Sequence, residues 1–506
     1  MKEKKNLSSL PVRSRKRATV LQAAGGYVNT AILIVHGLLL VPLYLYFLGA
    51  NMYGLWLASG GMLGMMGLMN FGISSLLIQR VSRAYGQKNF TQAGAYFING
   101  MVIYFAICLL YVAIGVVVSF WLPAILNVTG EDADLLQQCF QLAVVATTIG
   151  IFNECLRSFS QALLRPVAPM IAMAVGRILG IAVTVGMLFY DFGLWAVPMG
   201  ILIAEGIIFI LNLFHTVPLF YKLAVRVTFD RNIIKAYLQT SPALLMARMG
   251  NTLSQESEPL LITMFLGPEV TAAYMITRRA ADMVFQMMSV IVGSTMGPFA
   301  HLAANSDYEN ISKIAKNLLF FSVSMGAVSF ATYVGANHAF VPLWVGDAMA
   351  TDQNIILFIG LGFFARTIRG FLGQMLYGLG DFFYTSIIIL MEGVVRIVLA
   401  VGTLNVIGVM GVPLAFTLSC LIAVVVLGGR LRRKLKACFS ISVTIRFLLS
   451  GAILFGTNVN LKQMDIVIDS WGALSLYIVM LLISTLAMYM LMNWTTCRDT
   501  CKDIVA

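Results

Sequence analysis

Hydrophobic side chains make up 59% of the 506 residues and charged ones only 11%, which excludes a soluble globular protein and points to a polytopic membrane protein. The formal net charge of +12 is no sign of nucleic-acid binding, because the basic residues lie in short runs between apolar segments, as the positive-inside rule describes. The seven cysteines are scattered, without the spacing of a disulfide framework or a zinc site, so neither a metal nor a resident cofactor is expected.

Residues 1–22 read as a basic cytoplasmic tail with no small-residue cleavage site, so the first apolar run is expected to be a retained helix. Stretches long enough to span a bilayer fall at 23–48, 54–78, 93–121, 135–163, 167–189, 193–220, 237–265, 270–299, 314–339, 354–378, 383–403, 407–428, 444–459 and 471–493. The expected fold is therefore all-α with about 14 transmembrane helices. It comprises an N-lobe of six helices (23–221), a cytoplasmic loop (222–236) and a C-lobe of six (237–429), then a basic loop with two more helices (430–494) and a cytoplasmic tail (495–506). Loops assigned inside hold twenty-five Lys/Arg, against Lys462 alone outside, which places both termini in the cytoplasm. The longest external loop, about 340–353, is too short to house an enzyme.

Matching segments reveal an internal repeat. Phe47-Leu48-Gly49 pairs with Phe265-Leu266-Gly267, Leu156-Arg157-Ser158-Phe159 with Ile368-Arg369-Gly370-Phe371, Arg177-Ile178-Leu179 with Arg396-Ile397-Val398, and Val197-Pro198 with Val412-Pro413. Six spans per copy give the copies the same orientation, an arrangement in which transport folds bind cargo between lobes and open alternately to each side.

The seventh and eighth spans meet at a Gly267-Pro268 turn and carry the densest intramembrane charge. Ser241, Arg248, Asn251, Gln255 and Glu258 share one helical face; Arg278, Asp282 and Ser289 share a face of the next helix. Ionisable groups in spanning helices face a protein interior or a wet cavity, and two adjacent polar stripes outline a transporter. The embedded arginines are Arg157, Arg177, Arg248, Arg278, Arg279, Arg366, Arg369 and Arg396; the embedded carboxylates are Glu154, Glu205, Glu256, Glu258, Asp282 and Glu392. Glu392/Arg396 and Arg278/Asp282 stand at i,i+4, so each also reads as an internal ion pair. Arg157, Arg366 and Arg369 equally suit helix ends where they snorkel to head groups. The run at 60–67 (GGMLGMMG) reads as close helix packing.

The stretch at 41–89, with Leu48-Gly49, Tyr53-Gly54-Leu55 and Asn70-Phe71-Gly72, resembles the opening of the polysaccharide-type flippases of the multidrug/oligosaccharidyl-lipid/polysaccharide exporter superfamily. The seventh and eighth spans look like that family's second copy. The resemblance implies movement of an undecaprenyl-diphosphate-linked oligosaccharide to the outer leaflet of a bacterial inner membrane. Membrane lipids and other polysaccharide-assembly proteins are the implied partners; the basic run at 430–436 reads either as a contact for anionic lipid or a cytoplasmic synthesis partner or, more commonly for such runs, as a determinant of topology alone. A cation-coupled multidrug antiporter and a lipid II flippase are the alternatives within the superfamily. A diphosphate crossing hydrocarbon needs cationic walls, and arginine grips phosphate in bidentate fashion. The substrate-binding candidates are accordingly Arg248, Arg278, Arg279, Arg177, Arg396, Asn251 and Gln255. Candidate carboxylates for coupling to H+ or Na+ are Glu256, Glu258, Asp282 and Glu392.

Overall fold

The computed structural model describes residues 15–70, 72–222, 229–294, 308–435 and 468–492. These residues are helical, with no strand among them. The helices are α1 (Arg15–Met66), α2 (Ile73–Gly86), α3 (Phe90–Ile125), α4 (Glu131–Ala162), α5 (Val167–Phe189), α6 (Ala196–Lys222), α7 (Arg231–Leu266), α8 (Pro268–Ser294), α9 (Tyr308–Val345), α10 (Gln353–Gly378), α11 (Phe382–Ile407), α12 (Gly411–Lys434) and α13 (Trp471–Met492). The predicted span at 444–459 lies outside the described residues. Nine described segments are long and apolar enough to cross a membrane, two of them (Ala24–Gly86 and Phe382–Lys434) running through more than one helix. The chain is a multi-pass membrane protein.

Two departures from the sequence reading concern the first spans. The break expected between the spans 23–48 and 54–78 is a kink inside α1, where Gly49 takes φ 74°, a conformation open to glycine at little cost. The span expected at 54–78 is not one helix: α1 stops at Met66, a 3-10 turn covers Gly67–Asn70, and Gly72 enters the left-handed region at φ 67° before α2 begins. Within the glycine run, a methyl group added at Gly60 or Gly67 would meet no atom within 4 Å, so these two positions make no close helix contact.

The chain divides into two compact units, Met1–Arg248 and Met249–Ala506. In the first, α5 and α6 approach through Gly176, Gly180 and Gly200. A Cβ at Gly180 would lie 2.7 Å from the Gly200 carbonyl, and one at Gly176 2.7 Å from that of Ala204. Small residues four apart permit such backbone approach, and tight van der Waals packing then substitutes for the weak hydrophobic drive between helices in lipid. Aromatic stacking of Phe97 on Phe159, centroids 3.9 Å apart, ties α3 to α4. The second unit packs α8, α9, α10 and α12 around a buried aromatic group in which Phe363 stacks on Phe330 and meets Phe416 edge-on.

Candidate functional site: a buried charge network

The site begins with two glycines. A Cβ on Gly393 of α11 would sit 2.7 Å from the Gly250 carbonyl of α7, and one on Gly250 would run into the Ile389 carbonyl. With no side chain at either position, the two backbones touch. Glu258, two turns along α7 from this crossing, meets Arg396, one turn along α11.

Glu258 is the hub. Its Oε1 accepts from Arg396 Nη2 and its Oε2 from Arg278 Nη1; the Tyr274 hydroxyl also donates to Oε2, at 3.4 Å. Glu258, Arg278 and Arg396 are 1%, 3% and 2% exposed, so water contributes almost nothing and the charges must satisfy one another. Arg278 comes from α8 across the hairpin whose turn is Gly267, at φ 93°; its Nε also lies 3.1 Å from Asp282 Oδ2. The Arg396 guanidinium stands 3.9 Å over the Phe416 ring, a cation–π contact.

A second branch runs through α10. Arg369 Nη2 donates to Asn251 Oδ1 at 3.0 Å. Its Nε is 3.0 Å from Glu392 Oε2, close enough for an ion pair but without hydrogen-bond geometry. The Cys420 thiol donates to Glu392 Oε1 at 3.1 Å. Arg366, one turn before Arg369, is buried and makes no ion pair among the described residues. Its guanidinium lies 4.2 Å from the Phe285 ring centre and its Nη1 makes no hydrogen bond; Arg369, Arg278 and Arg396 stand near it, with the Asp282 and Glu256 carboxylates also within electrostatic reach. Four arginines (278, 366, 369 and 396) thus share the interior with three ion-paired carboxylates (258, 282 and 392). With the partly buried Arg279 and Glu256 counted as well, five arginines stand against four carboxylates, so the network carries a net positive charge.

Of the residues singled out in the sequence, Asn251, Glu258, Arg278, Asp282, Glu392 and Arg396 come together here. Arg279 is partly buried beside Arg278, with its Nε unbonded. Gln255 turns back on its own helix, donating to the Asn251 carbonyl at 3.2 Å. Glu256 is partly buried and makes no ion pair among the described residues. Arg248, partly buried, is the last residue of the first unit. Arg177 also belongs to the first unit and donates to Asn29 Oδ1 at 3.4 Å. The side chain of Ser241 lies outside the described set.

Two expectations are corrected. Glu392 and Arg396 do not pair with each other: the glycine crossing gives Arg396 to Glu258, leaving Glu392 to Arg369. Arg366 and Arg369 do not snorkel, being 5% and 7% exposed. Their place in the network, with Tyr274 and Cys420, was missed, although the repeat match around Arg369 was a usable signal. The i,i+4 pair Arg278–Asp282 forms as its spacing suggested.

The first unit has a looser polar set. Asn153 donates to Glu205 at 2.8 Å, and Arg157 lies 3.8 Å from Glu154.

Residues 62–347 match a family model described as "Polysaccharide biosynthesis protein". No match was found among curated protein sequences. Among solved structures, lipid II flippase MurJ in an inward closed conformation aligns with TM-score 0.70 at 12% identity, covering 95% of this chain and 99% of that one. An inward-facing multidrug resistance MATE family transporter of the MOP superfamily aligns at 0.65 and 13% identity, covering 82% and 98%. An outward-facing MATE transporter aligns at 0.62 and 13%, covering 84% and 97%. At these identities the likeness is one of fold.

Proposed function

The chain belongs to the polysaccharide biosynthesis protein family, and from that membership we propose that it flips an undecaprenyl-diphosphate-linked oligosaccharide from the inner to the outer leaflet of a bacterial inner membrane. It does so by alternating access, as a transporter without catalytic residues and with both termini in the cytoplasm. The observation that carries the anionic cargo is the net positive network of the second unit, above all Arg366, a buried cation that lies over the Phe285 ring and makes no ion pair among the described residues. A diphosphate entering this region supplies the counter-charge that the protein withholds.

The same charge balance bears on coupling. Glu258, Asp282 and Glu392 are engaged by guanidinium groups; neutralising Glu258 or Glu392 would take the paired carboxylate from Arg396 or Arg369, and neutralising Asp282 would leave Arg278 to Glu258 alone, which makes all three poor sites for an exchangeable proton or sodium ion. Glu256 is the coupling carboxylate in this proposal. A cation-coupled multidrug antiporter is the competing reading within the same fold, and it requires a net acidic site.

The test is deletion of the gene in its native host, with radiolabelled polyprenyl-linked sugars followed after complementation. Accumulation of linked repeat units on the inner leaflet, cleared by the wild type and not by Arg366→Ala, is expected. Unchanged lipid pools together with lost efflux of a cationic dye would replace the flippase with the antiporter.

A further inference from the structure

A cavity of about 300 Å³ opens in the first unit between α1, α4 and α5. Its polar wall is Arg157, Gln161 and Asn29; its apolar wall includes Met170, Met173 and Pro166. The volume is at the lower end of ligand pockets, enough for a phosphate and its immediate substituents and too small for an oligosaccharide.

Arg157 is poorly satisfied where it stands. Its Nη1 donates to the thioether sulfur of Met173 at 3.3 Å, and a thioether is a weak acceptor. Its acidic neighbour, Glu154, is 3.8 Å away on the same helix, and the Arg157 side chain remains 41% exposed. The Gln161 side-chain amide makes no hydrogen bond among the described residues. A second cation stands behind the wall: Arg177 donates to Asn29 Oδ1 at 3.4 Å, while Asn29 Nδ2 is held by the Gly25 carbonyl at 3.0 Å. The remaining carboxylate of this polar set, Glu205, is bound by Asn153. The turn that closes the cavity carries Arg165, a basic residue on the side assigned to the cytoplasm.

We infer that this cavity binds the phosphate of a lipid head group from the inner leaflet, with Arg157 as the principal ligand, Gln161 as a second donor and the two methionines against the start of the lipid's apolar part. A phosphate oxygen is a far stronger acceptor for a guanidinium than the Met173 sulfur it displaces. The flexible thioether side chains can repack around the lipid chain attached to it. Two lipids carry this chemistry, an anionic phospholipid and a polyprenyl diphosphate. The inference needs only a bilayer, so it stands or falls separately from the cargo proposed above.

Purified full-length protein in phosphatidylcholine nanodiscs is titrated with short-chain phosphatidylglycerol and, separately, with farnesyl diphosphate, and bound lipid is read by native mass spectrometry. Arg157→Gln is expected to weaken binding of at least one probe about tenfold, with Gln161→Ala giving a smaller loss. Arg157→Lys, which keeps the charge, is expected to retain most of the binding; an unchanged melting temperature in all three variants confirms intact folding. Loss of phosphatidylglycerol alone identifies a membrane phospholipid as occupant. Loss of farnesyl diphosphate alone identifies the polyprenyl carrier, and loss of both a shared phosphate site. Equal binding of both probes to wild type and Arg157→Gln would overturn the inference. So would a wild type that binds short-chain phosphatidylcholine as tightly as it binds the anionic probes.

Discussion

The two units handle intramembrane charge in opposite ways. In the second, Glu258 is gripped by two arginines from two different helices, and Glu392 is met by Arg369. In the first, Arg177 and Glu205 each rest on an asparagine, Asn29 and Asn153, and Arg157 meets Glu154 only at 3.8 Å with its side chain 41% exposed. Arg177 and Arg396 occupy matching segments of the sequence repeat, yet one ends on an amide oxygen and the other in a closed ion pair. A buried pair of full charges costs several kcal/mol to open, because each partner is left uncompensated; an amide contact is exchanged far more easily. The second unit therefore has a fixed electrostatic core, and the first an adjustable one.

The largest expected effect breaks this contrast at its hub. Glu258→Gln leaves Arg278 and Arg396 without their shared counter-charge and is expected to destabilise the protein by about 3–5 kcal/mol, read as a lowered melting temperature in detergent. Glu205→Gln serves as the first-unit counterpart; if it costs as much, the units do not differ as described. Next comes Gly393→Ala, whose added methyl must push α7 from α11, at an expected cost of about 1–3 kcal/mol. Because the crossing positions the ion pairs, transport in the flipping assay should fall with it. Arg366→Met separates stability from function. Removing a buried cation that faces other arginines is expected to leave stability unchanged or raise it by about 1–2 kcal/mol, while flipping falls at least roughly tenfold if the cargo is anionic. Smallest is Arg177→Gln, which trades one amide contact for another and should cost less than about 1 kcal/mol.

Much of this was legible in the sequence, for identifiable reasons. The spanning helices follow from runs of apolar residues, and the Arg278–Asp282 pair from a local spacing that the helix itself enforces. The partner of Arg396 was not legible. Its own helix offers Glu392 at the right interval, and only the contact between Gly250 and Gly393, far apart in the chain, decides for Glu258 instead. Arg366 and Arg369 were ambiguous for the same reason: a sequence shows that a charge lies near the end of an apolar run, not which helices surround it. The break in the second span was only half legible: Asn70-Phe71-Gly72 stands out as a motif, but the apolar run continues past it on both sides, so hydropathy does not show that Gly72 takes the left-handed conformation before α2.

The turn between α7 and α8 has a consequence for how this chain can vary. Connecting turns commonly absorb insertions and deletions, since they lie at the surface and fix little beyond themselves. Here Gly267 stands between Glu258 on one leg and Arg278 on the other. One residue added beyond it, at the start of α8, would turn that helix by about 100° against its partner and carry the guanidinium off the carboxylate. The hairpin is a gauge of fixed length, and counting residues across it becomes as informative as asking which residues they are.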